Sequence, residues 1–224
     1  MGIGSDLAAA YQFLVANQDR FFELLGQHLQ LVVISELLAI VVAIPLGVVA
    51  TRSERLRQPI LTAGNVAQTV PTLAIIALVY PLLGIGFQPA LVGLFAYAIL
   101  PILTNTITGI EDVDESTIEA ARGMGMTDTE ILRKIQLPLA VPVIFAGVRT
   151  SAVINVGTAY LAFFIGGGGL GLWVISGIRL YEMSQVLAGA IPGALFAITL
   201  DTAFAVAERR LGGETLQDGS TVTG

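Results

Sequence analysis

Five long apolar stretches divide the chain, and short polar segments separate them. They cover residues 29–50, 60–83, 90–110, 139–165 and 185–207. Each reaches or exceeds the roughly 20 residues that cross about 30 Å of hydrocarbon as an α-helix. An open sheet cannot satisfy its backbone polar groups in lipid, and the short alternating segments of an outer-membrane barrel do not occur here. The pattern predicts an all-α integral membrane protein with five transmembrane helices.

Composition and charge agree with this reading and give an orientation. Only 12% of the 224 residues are charged and 54% are hydrophobic, whereas about a quarter of a soluble domain is charged. Eight of the eleven basic residues follow the first, third or fifth apolar stretch; only Arg20 and Arg179 lie on the opposite side, and Arg149 lies inside the fourth stretch. Because basic residues concentrate in cytoplasmic loops, we expect the N-terminus outside and the C-terminus in the cytoplasm.

The two ends of the chain differ from the membrane domain at 29–210. Residues 1–28 lack the basic start and long apolar core of a signal peptide, so we expect no cleaved signal. The distribution of basic residues makes them an extracytoplasmic N-terminal segment. Its scattered Phe and Leu residues indicate either a helix on the outer interface or a lead-in to the first span. His28, at the edge of that span, is expected to be interfacial rather than a ligand. Residues 211–224 are polar and rich in Gly and Thr, which predicts a disordered cytoplasmic tail.

The charged segment at 111–137 is predicted to form a helix, a turn and a second helix. Two residue pairs fit the capping box, in which Ser or Thr is followed three residues later by Glu: Ser116 with Glu119, and Thr127 with Glu130. Gly123 and Gly125 allow the chain to turn between the two helices. Pro138 is expected to end the second helix and to open the fourth span. An amphipathic linker resting on the bilayer surface is the alternative reading of this segment.

Polar and helix-breaking residues within the spans predict where a path through the membrane would run. The candidates for such a path are Gln68, Thr69, Pro71, Thr104, Asn105, Arg149 and Asn155. Pro71 lacks a backbone N–H and is expected to bend the second span. Helix packing through small polar side chains is the alternative role for these residues.

Three ionisable residues lie inside the apolar stretches. Arg149 is near the middle of the fourth, Asp201 lies in the fifth, and Glu36 is nearer the outer end of the first. Because a bare charge in the membrane is costly, we expect Arg149 and Asp201 to form a structural ion pair. Direct contact between Arg149 and a solute is the alternative.

Several kinds of chemistry are excluded by what the sequence lacks. With no cysteine and a single histidine, neither a thiolate nor a histidine-built metal site is expected. The sequence contains no G-x-x-x-x-G-K-[ST] motif, and Lys134, the only lysine, follows Arg133 rather than a glycine loop. No catalytic pair is visible, so we expect no enzyme activity in this chain. "GGGGLGLW" at 166–173 reads as a tight turn into an interfacial segment anchored by Trp173.

The central segment carries a resemblance to a known family. The pattern is Glu-Ala-Ala, three residues, Gly, nine residues, then Ile-x-Leu-Pro, matched by Glu119, Ala120, Ala121, Gly125, Ile135, Leu137 and Pro138. It resembles the cytoplasmic loop in the membrane subunits of binding-protein-dependent ABC importers. The segments "NVAQTVPTLAIIAL", "LPILTNTITGI", "AGVRTSAVINVGTA" and "GGGGLGLW" are similar to the glycine betaine, carnitine and choline branch. The motifs lie between Asn65 and Trp173, and the resemblance is taken to cover about Leu29 to Arg210.

The resemblance implies a fold, a function and partners. It implies the type I ABC importer permease fold, in which the seven motif residues couple the permease to an ATPase subunit that binds ATP and Mg²⁺. It also implies an extracytoplasmic solute-binding protein, a second permease copy, identical or paralogous, and a place in the inner membrane among lipids, with no nucleic acid. The implied solutes are osmoprotectants such as glycine betaine, carnitine or choline. A permease for amino acids such as methionine is the alternative, and a passive channel is the alternative from another class.

One property of the path follows from its composition. Quaternary ammonium groups are usually held by cages of aromatic side chains. Aromatic residues are scarce in the second to fourth spans, and no cage can be read from their spacing. We therefore expect selectivity to rest chiefly with the binding protein.

Overall fold

Ten α-helices account for most of the chain in the computed structural model, which describes residues 3–217, and the side chains of residues 4–208. The first five are α1 (Ile3–Ala16), α2 (Gln18–Arg52), α3 (Glu54–Thr69), α4 (Thr72–Leu83) and α5 (Phe87–Glu111). The others are α6 (Glu115–Gly123), α7 (Asp128–Ile131), α8 (Leu137–Thr158), α9 (Gly171–Leu180) and α10 (Met183–Gln217). A π-helical turn, Leu132–Gln136, joins α7 to α8, and a 3₁₀ segment, Ala159–Ile165, extends α8.

Within residues 3–217, four helices are long and apolar enough to cross a membrane alone. They are α2, α5, the continuous helix Asp128–Ile165 and Met183–Glu208 of α10. A fifth span is present if α3 and α4 are counted together. The all-α membrane fold predicted from the apolar stretches is therefore confirmed, but the second span differs from the prediction.

The second span is two helices rather than one bent helix. The axes of α3 and α4 meet at 98°, and Val70 and Pro71 between them adopt extended backbone angles. A residue that precedes proline is disfavoured in the α conformation because the proline ring collides with its backbone. Val70 therefore lies outside the helix, and the next helix, α4, begins at Thr72.

Helix α5 lies at the centre of the bundle, between α2 and α8. Close approach on both sides depends on glycine. A Cβ at Gly47 of α2 would lie 2.6 Å from Cγ2 of Thr106, and a Cβ at Gly147 of α8 would lie 2.6 Å from Cβ of Asn105 and 2.8 Å from the carbonyl oxygen of Pro101. Lipid provides no hydrophobic force between helices, so such small-residue contacts supply much of the packing energy.

The N-terminal segment packs against the end of the bundle formed by the start of α2, α9 and the start of α10. Leu24 is buried with Leu170, Trp173 and Ala188, and the ring of Phe13 lies edge-on to Trp173 at 5.1 Å between centroids. The predicted boundary at residue 29 falls inside α2, because the helix already begins at Gln18. Trp173 is 4% exposed, so it fills a protein core instead of anchoring the chain at the lipid interface.

His28 is also buried, contrary to the interfacial place predicted for it. Its side chain is fully enclosed. Ring atom Nε2 lies 3.1 Å from the carbonyl oxygen of Val156, and the ring meets Tyr160 edge-on at 4.9 Å. Hydropathy could not show this burial, because α1, α9 and the 3₁₀ segment together cover the N-terminal part of α2.

At the other end of the chain, α10 continues to Gln217. The segment predicted as a disordered tail, 211–224, therefore begins within this helix. Residues 218–224 of that prediction lie outside the described part of the chain.

Candidate coupling surface and membrane clefts

The first helix of the central segment begins two residues earlier than predicted. The N-cap of α6 is Asp114, whose side chain accepts a hydrogen bond of 2.8 Å from the backbone N–H of Ser116. The predicted capping box of Ser116 with Glu119 is thus wrong, since Ser116 lies inside the first turn. Hydrogen bonds from the side chain and then the backbone of Ser116 hold the pKa of the Asp114 carboxyl below its usual range.

The end of α6 explains the spacing of the family motif. The backbone N–H of Met126 donates to the carbonyl of Ala121 at 3.1 Å, and that of Gly125 donates to the carbonyl of Arg122 at 2.9 Å. These two bonds form a Schellman motif, in which the residue after the cap is left-handed. Gly125 occupies that position with φ of +85°. Ala121 and Gly125 must therefore be four residues apart.

The second helix starts as predicted but does not end as predicted. Thr127 and Glu130 form the capping box: the Thr127 backbone N–H donates to the Glu130 carboxylate at 3.0 Å, and the Glu130 N–H donates to Thr127 Oγ1 at 3.4 Å. The helix then passes through the π-helical turn, where the N–H of Leu137 donates to the carbonyl of Leu132. The wider turn accommodates Pro138, which lacks an N–H. Asp128–Ile165 is therefore one continuous helix.

Polar side chains attach the base of this segment to the bundle. Arg52, the last residue of α2, donates to Oε1 of Gln136 at 2.7 Å, and Nε2 of Gln136 donates to the carbonyl of Ile110 at 3.3 Å. Arg57 of α3 pairs with Glu111 at the end of α5, with 2.8 Å between Nη2 and Oε2. Sequence reasoning used Arg52 and Arg57 only to orient the chain, because charge counting gives no partner.

The seven motif residues divide into an exposed and an enclosed set. Glu119, Ala120, Gly125 and Pro138 are exposed, Ile135 and Leu137 are half-buried, and Ala121 is fully buried. Ala121 and the half-buried pair thus serve the packing of this segment. The exposed face of α6 with Glu119 and Ala120 is the candidate coupling surface, called the coupling surface below.

Two clefts lie side by side on one face of α8. The larger, about 530 Å³, is at the break between α3 and α4 and is lined by Pro71, Thr72, Leu73, Tyr97, Ile154, Gly157, Thr158 and Leu161. The smaller, about 340 Å³, is lined by Ala146, Arg149, Thr150, Val153, Ile154, Asp201 and Glu208. Ile154 lines both, so the clefts adjoin along the helix.

The structure separates the predicted path residues into three groups. Pro71 and Arg149 line the clefts. Gln68, Thr69, Thr104 and Asn105 bond to backbone carbonyls of α3 or α5, including Gln68 Nε2 to Tyr97 at 3.2 Å and Asn105 Nδ2 to Pro101 at 2.8 Å. Asn155 is fully buried and lines neither cleft.

Arg149 and Asp201 are brought together in the geometry of a bidentate pair. Nε and Nη2 of Arg149 lie 2.7 and 2.9 Å from the two oxygens of Asp201, and Nη1 lies 3.2 Å from Oε2 of Glu208. Sequence reasoning missed Glu208. Seven residues, or two helical turns, separate it from Asp201 on the same face of α10, and that spacing is the signal that could have identified it.

A buried polar cluster joins α2 to α8. Oε2 of Glu36 accepts from Ser151 Oγ at 3.0 Å and from Asn155 Nδ2 at 2.9 Å, and the same Nδ2 lies 3.2 Å from Ser35 Oγ. Glu36 is 7% exposed, and the other three are fully buried. Sequence reasoning noted Glu36 and Asn155 separately but not their contact.

Comparison with known proteins adds a family and relatives. The model of the family "binding-protein-dependent transport system inner membrane component" matches residues 43–213. A choline transport system permease protein of Bacillus subtilis, OpuBB, is 46% identical over 200 residues, covering 89% of this chain and 92% of its own. A glycine betaine/carnitine/choline permease of the same organism, OpuCB, is 44% identical and covers 92% and 94%. An osmoprotectant import permease of Salmonella typhimurium, OsmW, is 40% identical and covers 84% and 90%.

Solved structures show similarity of fold. A chain of the inward-facing MetNI methionine ABC transporter superposes with a TM-score of 0.80 at 20% identity, covering 88% of this chain and 98% of that one. A chain from an amino acid ABC transporter crystallised with histidines gives 0.72 at 19% identity, covering 89% and 97%.

Proposed function

This chain belongs to the binding-protein-dependent transport system inner membrane components, and we propose that it moves osmoprotectants through a path coupled to a separate ATPase subunit. The solutes are glycine betaine, carnitine, choline or similar quaternary amines. The observation that carries this substrate class is the 40–46% identity, over more than four-fifths of each chain, to permeases named for those solutes. The amino-acid alternative has the weaker support, because those structures share only the fold at 19–20% identity.

We assign the contact with the ATPase subunit to the coupling surface, the exposed face of α6 that carries Glu119 and Ala120. Glu119 and Ala120 are exposed on a helix that is fixed at both ends, by the Asp114 cap and the Gly125 turn. The small side chain of Ala120 allows a partner surface to approach closely. The neighbouring helix α7 continues into α8, so movement of the segment by the ATPase would reach the membrane directly. ATP and Mg²⁺ would be bound by that partner.

Replacement of Ala120 by arginine is expected to weaken binding of the ATPase roughly tenfold or more, because a long charged side chain blocks close approach. The side chain is exposed, so folding of the permease should be unaffected. The measurement is the amount of ATPase subunit that co-purifies with the permease in detergent. Ala9→Arg, an exposed alanine in α1, is the matched control. Equal co-purification of both variants would contradict the assignment.

The path is assigned to the face of α8 that carries the two clefts. So few helices do not readily enclose a path, and we infer that a second copy, identical or paralogous, closes it. The extracytoplasmic binding protein would deliver solute at the end formed by α1 and α9, and the coupling surface would face the cytoplasm. The eight-to-two distribution of basic residues supports this orientation.

A double substitution separates the two roles considered for Arg149. In Arg149→Leu/Asp201→Leu, both members of the bidentate pair become apolar. Glu208 loses its contact with Arg149, but its side chain is one-third exposed, so the amount of assembled protein should be close to wild type. If Arg149 contacts the solute, its loss removes one charged hydrogen bond along the path, and we expect solute uptake to fall roughly tenfold. Uptake and membrane content are measured on the same vesicles. Wild-type uptake by the double variant would leave Arg149 a structural role only.

The function as a whole is tested by reconstitution. The permease is co-purified with its ATPase and binding protein and placed in liposomes, and ATP hydrolysis is measured with glycine betaine, carnitine, choline and methionine. Stimulation by the quaternary amines and not by methionine is expected. Solute or ion flux through the permease without ATPase would instead support a passive channel.

A further inference from the structure

Two oxygen atoms in the buried polar cluster have no hydrogen-bond partner. They are Oε1 of Glu36 and Oδ1 of Asn155, and each lies in a side chain that is at least nine-tenths buried. Nearly all buried polar atoms in proteins have a partner. Since these two oxygens belong to side chains that are hydrogen-bonded to each other, one hydrogen atom could serve both.

The carboxyl and the amide already lie side by side. Nδ2 of Asn155 donates to Oε2 of Glu36 at 2.9 Å, and Ser151 Oγ lies 3.0 Å from the same oxygen. All the hydrogen bonds to the carboxyl thus reach one oxygen. The other carboxyl oxygen and the amide oxygen are both acceptors, so a hydrogen bond between them requires a proton.

Among the residues that the structure describes, no positive side chain pairs with Glu36. On α8 the nearest basic residue is Arg149, which bonds to Asp201 and Glu208 of α10. On α5 the only charged residue is Glu111, which pairs with Arg57 of α3. On α2 itself, His28 lies two turns away and bonds to a backbone carbonyl. A carboxylate here would be an unpaired charge inside a membrane bundle.

We propose that Glu36 is a proton-binding site: one proton from the bulk solvent resides on Oε1, and the resulting O–H donates a hydrogen bond to Oδ1 of Asn155. The carboxylic acid and the amide then form a cyclic pair with two hydrogen bonds. One proton removes the charge and satisfies both oxygens, whereas a buried water would satisfy the oxygens and leave the charge. Because Asn155 lies on the continuous helix Asp128–Ile165, which follows α6 in the chain, this pair connects that helix to α2.

The first experiment is infrared spectroscopy of the full permease in lipid at neutral pH. A protonated carboxylic acid has a carbonyl stretching band that carboxylates lack and that shifts in D₂O. We expect such a band in the wild-type protein and its loss in Glu36→Gln. Glu23→Gln, an exposed glutamate of the same helix that pairs with Arg20, is the control and should retain the band. Absence of a band that depends on Glu36 would overturn the proposal.

The second experiment keeps the proposal testable if the band is obscured. Glutamine at position 36 can accept from Asn155 and donate to its oxygen, so Glu36→Gln should unfold within a few degrees of wild type, whereas Glu36→Met, which can do neither, should unfold far lower. Thermal unfolding is measured with and without Na⁺ and K⁺. The proposal would be overturned if both variants unfolded at an equally lowered temperature and if Na⁺ or K⁺ raised the unfolding temperature of the wild type. That result would show that Glu36 binds a metal cation instead of a proton.

Discussion

Replacement of Gly125 by proline is expected to abolish solute uptake while leaving the permease in the membrane. Gly125 has φ of +85°, whereas proline fixes φ near −65° and has no N–H to donate to Arg122. The turn would have to rearrange at a cost of about 3 kcal/mol, which lowers the population of the native segment about a hundredfold. The measurements are uptake and ATP hydrolysis by the reconstituted importer.

Gly123 provides the matched control for this prediction. It lies two residues away in the last turn of α6, and a Cβ there would meet no atom within 4 Å. Gly123→Ala should therefore keep both uptake and hydrolysis. If Gly125→Pro transported solute at the wild-type rate, the Schellman turn would have no part in coupling.

The second large effect is expected at the buried cluster. In Asn155→Leu, the Glu36 carboxyl loses the amide donor at 2.9 Å and keeps only the Ser151 hydroxyl. Removing one partner of a buried polar pair costs about 3 kcal/mol, because the other is left unsatisfied. We expect a large fall in the midpoint of thermal unfolding for the purified protein.

The double variant Glu36→Leu/Asn155→Leu should recover much of that loss. Two leucines leave no unsatisfied group, and replacement of a whole buried polar pair by apolar residues is often close to neutral. The double-mutant cycle gives the coupling energy directly. Strictly additive losses would show that Glu36 and Asn155 do not depend on each other for stability.

The apolar stretches predicted the membrane helices well, because hydropathy reports a property of each segment alone. The effects of Pro71 and Pro138 on their helices could not be predicted from hydropathy. Pro71 interrupts its helix, while Pro138 is accommodated by a π-helical turn. Which outcome occurs depends on whether the preceding turn can widen in its tertiary surroundings, and local sequence does not contain that information.

In the candidate sites, too, local contacts could be predicted from the sequence and long-range contacts could not. The Thr127 cap and the Gly125 turn were predictable, because both depend on residues within five positions of one another. The contact of Glu36 with Ser151 joins residues 115 apart, and no periodicity indicates such a pairing. The roles of the coupling surface and of the cleft residues stay predictions until the variants are measured.

The unbroken helix from Asp128 to Ile165 has a mechanical consequence. Its 38 residues extend over about 57 Å at 1.5 Å per residue, more than the roughly 30 Å of a bilayer's hydrocarbon core. A helix that tilts as one body would carry a displacement at one end to the other. The 98° break between α3 and α4 provides no such continuous path.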